Sequence, residues 1–162
     1  MRSLFVAAFS AVLALPSLAE EKGDLAAKLP EAKVPLERAI TASKASGTPV
    51  SAKYEVEDGK LQLSVYTAKG DSFSEVIVDH KTGKVAKSEP ITSGDDLTAA
   101  KSQSEAMSKA KTSLAAAVSK AVKAHKGYKA VSAMPSVKDG RSVAEITLMK
   151  GADSKTVSEK LE

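Results

Sequence analysis

Asp58-Gly59-Lys-Leu-Gln-Leu-Ser-Val-Tyr-Thr-Ala-Lys69-Gly70 and Asp139-Gly140-Arg-Ser-Val-Ala-Glu-Ile-Thr-Leu-Met-Lys150-Gly151 state one pattern twice, 81 residues apart (58 to 139). Asp-Gly is a strong hairpin signal, and each pair opens a strand-like run that ends at Lys-Gly. Each copy also follows a helix-like stretch rich in Ala, Leu and Val, over residues 36–45 and 114–126. A helix-then-hairpin unit that recurs at a fixed spacing is the mark of a duplicated module.

The strands around these turns follow from alternation. Val50, Ala52, Tyr54 and Val56 fall on one side, with Ser51, Lys53, Glu55 and Glu57 on the other, the pattern of a half-buried strand. Leu61, Leu63 and Val65 continue the apolar face. A third strand is predicted over 72–79, where Phe73 and Ile77 compete with Val76 and Val78 for the inward side, and a fourth from Val85 onward. Pro35 suits a first helical turn, with Leu36, Ala39, Ile40 and Ser43 on one face, and Gly47-Thr-Pro49 ends that helix. Residues 93–126 read as a long helix whose apolar side includes Leu97, Met107, Leu114, Val118 and Val122. Lys111 interrupts that side, which places a break near Lys111-Thr112. Three more strands are predicted over 128–138, 141–150 and 152–162.

Composition narrows the rest. The 162 residues carry 43% hydrophobic and 27% charged side chains, with a net charge of +4 at pH 7 and no Cys or Trp. Past residue 19 the aromatic side chains are Tyr54, Tyr66, Phe73 and Tyr128, so the core must be built from Ala, Val, Leu and Ile. Two separate cores of about 60 residues would be marginal, so the halves are expected to pack together or share a helix. Residues 1–19 have the layout of a secretory signal peptide. Arg2 precedes an uncharged, largely apolar run, and Ser17 and Ala19 supply small residues before Glu20. Cleavage after Ala19 and an exported, periplasmic or secreted bacterial location are the expectations. The absence of Cys excludes thiol catalysis, iron–sulfur clusters and Cys-based zinc sites.

The first copy closes in Val76-Ile-Val-Asp-His-Lys-Thr-Gly-Lys-Val85. A helix, an Asp-Gly hairpin and a strand ending in V-x-D-x-x-T-G-K-V resemble the PepSY family, the modules named for propeptides of secreted metallopeptidases. The resemblance covers 35–85, and 112–162 more loosely. It implies an α+β protein of two tandem cystatin-like, PepSY-like units, each a helix packed on a three- or four-stranded antiparallel sheet. The division it implies is 1–19 signal peptide, 20–34 leader segment, 35–90 first unit, 91–111 linker helix and 112–162 diverged second unit. It also implies a non-catalytic module that modulates or inhibits an exported protein such as a protease. The alternative is a binder of a small ligand or of an anionic envelope surface.

Few residues suggest chemistry of their own. His80 and His125 are isolated, without the clustered ligands or H-x-x-x-H spacing that a metal requires. Asp79 with Thr82-Gly83 reads as a turn in which Asp caps backbone N–H groups and Gly takes positive φ. Lys101, Lys109, Lys120, Lys123 and Lys126 fall opposite the apolar side of the predicted long helix, with Glu105 among them. Residues 91–162 hold 12 basic against 8 acidic side chains. Such a face can attract an acidic partner, but Arg and interleaved aromatics are almost absent, so it reads as solvated, with no nucleic-acid role. No nucleophile elbow, phosphate loop or carboxylate pair is present. No catalytic, cofactor-binding or metal residue is therefore assigned, and no cofactor is expected.

Overall fold

In a computed structural model, which describes residues 17–162, the chain runs α1 (Leu18–Lys28), α2 (Leu36–Ala42), β1 (Thr48–Glu57), β2 (Lys60–Lys69), β3 (Ser72–Val78), β4 (Val85–Ile91), α3 (Gly94–Ser108), α4 (Leu114–Ala124), β5 (Lys129–Lys138), β6 (Arg141–Lys150) and β7 (Asp153–Lys160). Residues 1–16 of the predicted signal peptide lie outside the described residues. Asp58 and Gly59 have φ of 49° and 73°, and Asp139 and Gly140 have 50° and 75°. These are the paired positive values of a type I′ hairpin turn.

The repeat predicts two tandem units, each with its own sheet. Instead the seven strands form one antiparallel sheet in the order β4-β3-β2-β1-β5-β6-β7. The halves join where β1 pairs with β5. Ala52 lies opposite Ala133, which is its own counterpart 81 residues on. The β-bulge between Pro49 and Ser51 recurs between Ala130 and Ser132, again at equivalent positions. The two halves are thus related by an approximate twofold axis through the Ala52–Ala133 pair. A separate unit would leave its first strand as an open edge. Pairing the two first strands removes both edges at once.

The shared sheet gives one main core. Leu36 and Ile40 of α2 and Leu114 and Val118 of α4 cover Leu63, Val65, Val76, Ile146 and Leu148, all 2% exposed or less. The competing faces of β3 are both used. Val76 and Val78 join this main core, while Phe73 joins Val50, Tyr66 and Ala100 of α3 on the opposite face of the sheet.

The predicted 93–126 helix breaks between Ser108 and Leu114, where Ser113 caps α4 by accepting from Ala116 N–H at 3.2 Å. The break lets the chain pass from one face of the sheet to the other. Leu161, 0% exposed, anchors the crossing. Its carbonyl accepts from Lys111 N and Thr112 N at 2.6 and 2.9 Å, its N–H donates to Ser142 O at 3.0 Å, and Ser142 Oγ donates to Ala106 O at 2.7 Å.

The leader segment is part of the fold. Leu29, Ala32 and Val34 are buried in the main core. Lys33 N and Val34 N donate to His80 O at 2.8 and 3.1 Å, and Tyr54 Oη donates to Val34 O at 2.5 Å.

One core implies one cooperative transition. Leu63→Ala in the first half and Ile146→Ala in the second are each expected to lower stability by about 2–5 kcal/mol while keeping a single transition in chemical denaturation. A second, separate transition in either variant would show that each half folds by itself.

Candidate functional site

The Asp79–Gly83 run is built as a closed turn. Asp79 Oδ1 accepts from Lys81 N at 2.8 Å and Thr82 N at 2.9 Å, Gly83 N donates to Asp79 O at 2.8 Å, and Asp79 N donates to Lys84 O at 2.8 Å. These backbone donors, Thr82 first and then Lys81, hold the Asp79 carboxyl below its ordinary value. Gly83 has φ of 77°, and a Cβ there would lie 2.9 Å from Arg38 Nε. Arg38 Nη2 in turn donates to Thr82 O at 3.3 Å. The turn therefore fastens α2 and, through His80 O, the leader. The main-chain groups of the turn and Asp79 Oδ1 are thus bonded within the fold, whereas the buried Nδ1 of His80 has no hydrogen-bond partner among the described residues.

The other sequence candidates separate in space. His80 sits in this turn, and His125 caps the end of α4 with Nδ1 2.9 Å from Ala121 O. Among the described residues, no group of three or more His, Asp or Glu side chains is placed to hold a metal. The predicted lysine face is split, because α3 and α4 lie on opposite faces of the sheet. Lys109 pairs with Glu105 at 3.0 Å, and Lys120 pairs with Glu159 of β7 at 2.6 Å. A new basic cluster forms in its place at one end of the second repeat. It gathers Lys126 and Lys129 with Lys150, whose Nζ lies 3.4 Å from where a Cβ of Gly127 would stand. Lys155 completes it, with Nζ 4.1 Å from the centroid of Tyr128. Sequence spacing could not show this cluster, because its members come from a helix end and three strands.

Under α3, the sheet carries a row of polar side chains. Ser64 Oγ donates to Glu75 at 2.5 Å, Tyr66 Oη donates to Asp96 at 2.7 Å, and Lys53 pairs with Glu55 at 2.6 Å. Burial, followed by the Asp96 hydrogen bond, pushes the Tyr66 phenol up. A serine beside a carboxylate is the start of a nucleophile–base pair. Here Ser64 is 1% exposed.

Two strand edges remain, and they differ. β4 is exposed along its length but carries a bulge at Ala86 and a proline, Pro90, both features that blunt an edge. β7 pairs with β6 in unbroken register from Lys150↔Asp153 to Val143↔Lys160, with neither bulge nor proline. The two-residue turn Gly151-Ala152 makes Lys150 and Asp153 a doubly bonded pair. Ser154, Thr156, Ser158 and Lys160 consequently turn their N–H and C=O groups away from β6. This regular row of free main-chain groups is the strongest recognition feature of the described surface.

Two variants test the turn. Gly83→Val is expected to destabilise by about 1–3 kcal/mol, since a β-branched residue is strained at positive φ, and chemical denaturation reads it. For Asp79 the lowered carboxyl contributes stability that is present above the unfolded value and lost as pH falls through the folded one. The gap between wild type and Asp79→Asn should therefore be full near neutral pH and close on acidification below the ordinary carboxylate range. A gap independent of pH would show that the charged form is not what the turn uses.

In comparisons with known proteins, no family model, no curated protein and no solved structure matches the chain.

Proposed function

We propose that the protein is an exported, non-catalytic binding protein that receives an extended segment of another exported protein along β7. The observation that carries this reading is the contrast between the two edges. β4 is closed to pairing by Ala86 and Pro90, and β7 is regular over eight residues. Main-chain pairing along an edge supplies affinity, and side chains at alternate positions supply choice. Lys155, Glu159 and Lys160 keep β7 from pairing indiscriminately. The PepSY-like run over 35–85 points to a secreted protease as the class of partner. The signal-like residues 1–19 support export.

A second reading, an anionic envelope surface as the partner, draws on the basic cluster around Tyr128. The two readings separate by mutation. The purified protein is titrated against a panel of secreted proteases and, in parallel, against vesicles containing anionic lipid. Ser158→Pro removes one outward donor without breaking a bond to β6, so the fold is retained. It is expected to weaken the protein partner by about tenfold or more. Lys126→Glu with Lys150→Glu should leave that binding nearly unchanged. Neither of these lysines forms an ion pair among the described residues. Binding that survives Ser158→Pro yet disappears with the double lysine variant, and that weakens steeply with salt, favours the surface reading. Turnover of any substrate by the purified chain overturns both.

A further inference from the structure

The leader and the second repeat leave a groove of about 220 Å³ between them. Its walls are Leu29, Val34 and Leu36 on the leader side and Val122 beyond, with Tyr54 and Tyr128 contributing their rings. Both phenol protons are already committed, Tyr54 to Val34 O and Tyr128 to Asp153. The interior therefore offers apolar surface with no free tyrosine donor. Charge gathers among the same lining residues. Lys33 and Lys129 are exposed and form no ion pair among the described residues. Glu37 is the single carboxylate lining the groove. A greasy slot with two unpaired ammonium groups is complementary to a molecule with one apolar tail and one negative head.

We propose that this groove binds a medium-chain aliphatic carboxylate. The acyl chain lies against Tyr54 and Tyr128, and the head group meets Lys33 and Lys129. Size selects the chain. At about 30 Å³ for each water-sized group, the groove holds roughly seven such groups, close to the methylenes and methyl of octanoate. A neutral alkyl chain fills the groove but leaves both lysines without a counter-ion. The site does not use the outward main-chain groups of β7 and is tested separately from them.

The protein reports its own occupancy. It has no Trp and three Tyr, of which Tyr54 and Tyr128 line the groove, so intrinsic tyrosine fluorescence follows ligand entering the slot. The purified protein is titrated with hexanoate, octanoate, dodecanoate and 1-octanol. Octanoate is expected to saturate the signal. Hexanoate should bind roughly tenfold more weakly for its two missing methylenes, and dodecanoate no more tightly than octanoate. The alcohol should bind roughly three- to tenfold more weakly than the acid. Lys33→Gln with Lys129→Gln, both surface changes, should bring octanoate down to the level of octanol and leave octanol unchanged. Val122→Trp should fill the slot and abolish both, with circular dichroism confirming the fold. If that variant does not fold, the lysine pair still decides. No saturable response, affinity that climbs steadily to dodecanoate, or octanoate binding indifferent to the lysine pair would each overturn the proposal.

Discussion

Everything in this molecule is arranged around the antiparallel pairing of β1 with β5. The duplicated modules do not dock as two finished bodies, because each lacks the means. Ten of the buried core side chains are alanines, among them Ala39, Ala52, Ala117, Ala133 and Ala144. A small core of such residues buries little apolar surface per residue. Joining the sheets edge to edge lets α2 and α4 share one floor. Alanine at the seam, with Ala52 and Ala133 at most 2% exposed, keeps that floor low where the two helices meet.

The seam also dictates the route of the chain. β4 ends at one rim of the sheet, yet β5 must be laid at the centre. The connection has to cross β3, β2 and β1, four strand spacings or about 19 Å. The 15 residues of α3 span about 22 Å at 1.5 Å per residue, enough for that crossing. In making it, α3 covers the face that bears Val50, Tyr66 and Phe73. α3 reaches only part of the second repeat's side of this face, where Val143, Glu145 and Thr147 are half-buried. The return from that face to α4 needs a break, which is why a periodic run of more than thirty residues does not stay one helix. Leu161, just beyond the last strand, closes the path by binding both Lys111 and Thr112.

Local chemistry was legible in the sequence, and long-range pairing was not. Asp58-Gly59 and Asp139-Gly140 specify their turns because the backbone they need is set by the residues themselves. Alternation located β1 and β2, and Lys111 marked the break between α3 and α4. The resemblance of the Asp79–Gly83 run to a family motif drew attention to residues that turn out to be spent on structure, with Asp79 bonding the backbone and Gly83 packed against Arg38. The seam escaped notice because no residue at Ala52 or Ala133 differs from an ordinary strand alanine. The leader escaped for a similar reason, since Leu29, Ala32 and Val34 show no period. Their burial is imposed by His80 O and Tyr54, which lie far away in sequence. The basic cluster and the β7 edge were equally invisible, because both depend on which strands become neighbours.

The proposed recognition features lie where the approximate twofold symmetry fails. β7 is the counterpart of β3, 81 residues on, and β4 has no counterpart among the described residues, so the two rims of the sheet are built differently. One rim is β4, with its bulge and Pro90, and the other is the regular strand β7. The leader adds Leu29 and Val34 to one half only, so the slot between it and Val122 has no twin. The charge is uneven too: residues 91–162 hold 12 basic against 8 acidic side chains, and Lys129, Lys150 and Lys155 lie at the end of the sheet beside that slot. Duplication supplied the frame, and the segments lying outside the repeat, the leader, β4 and α3, determined which parts of the frame stayed open.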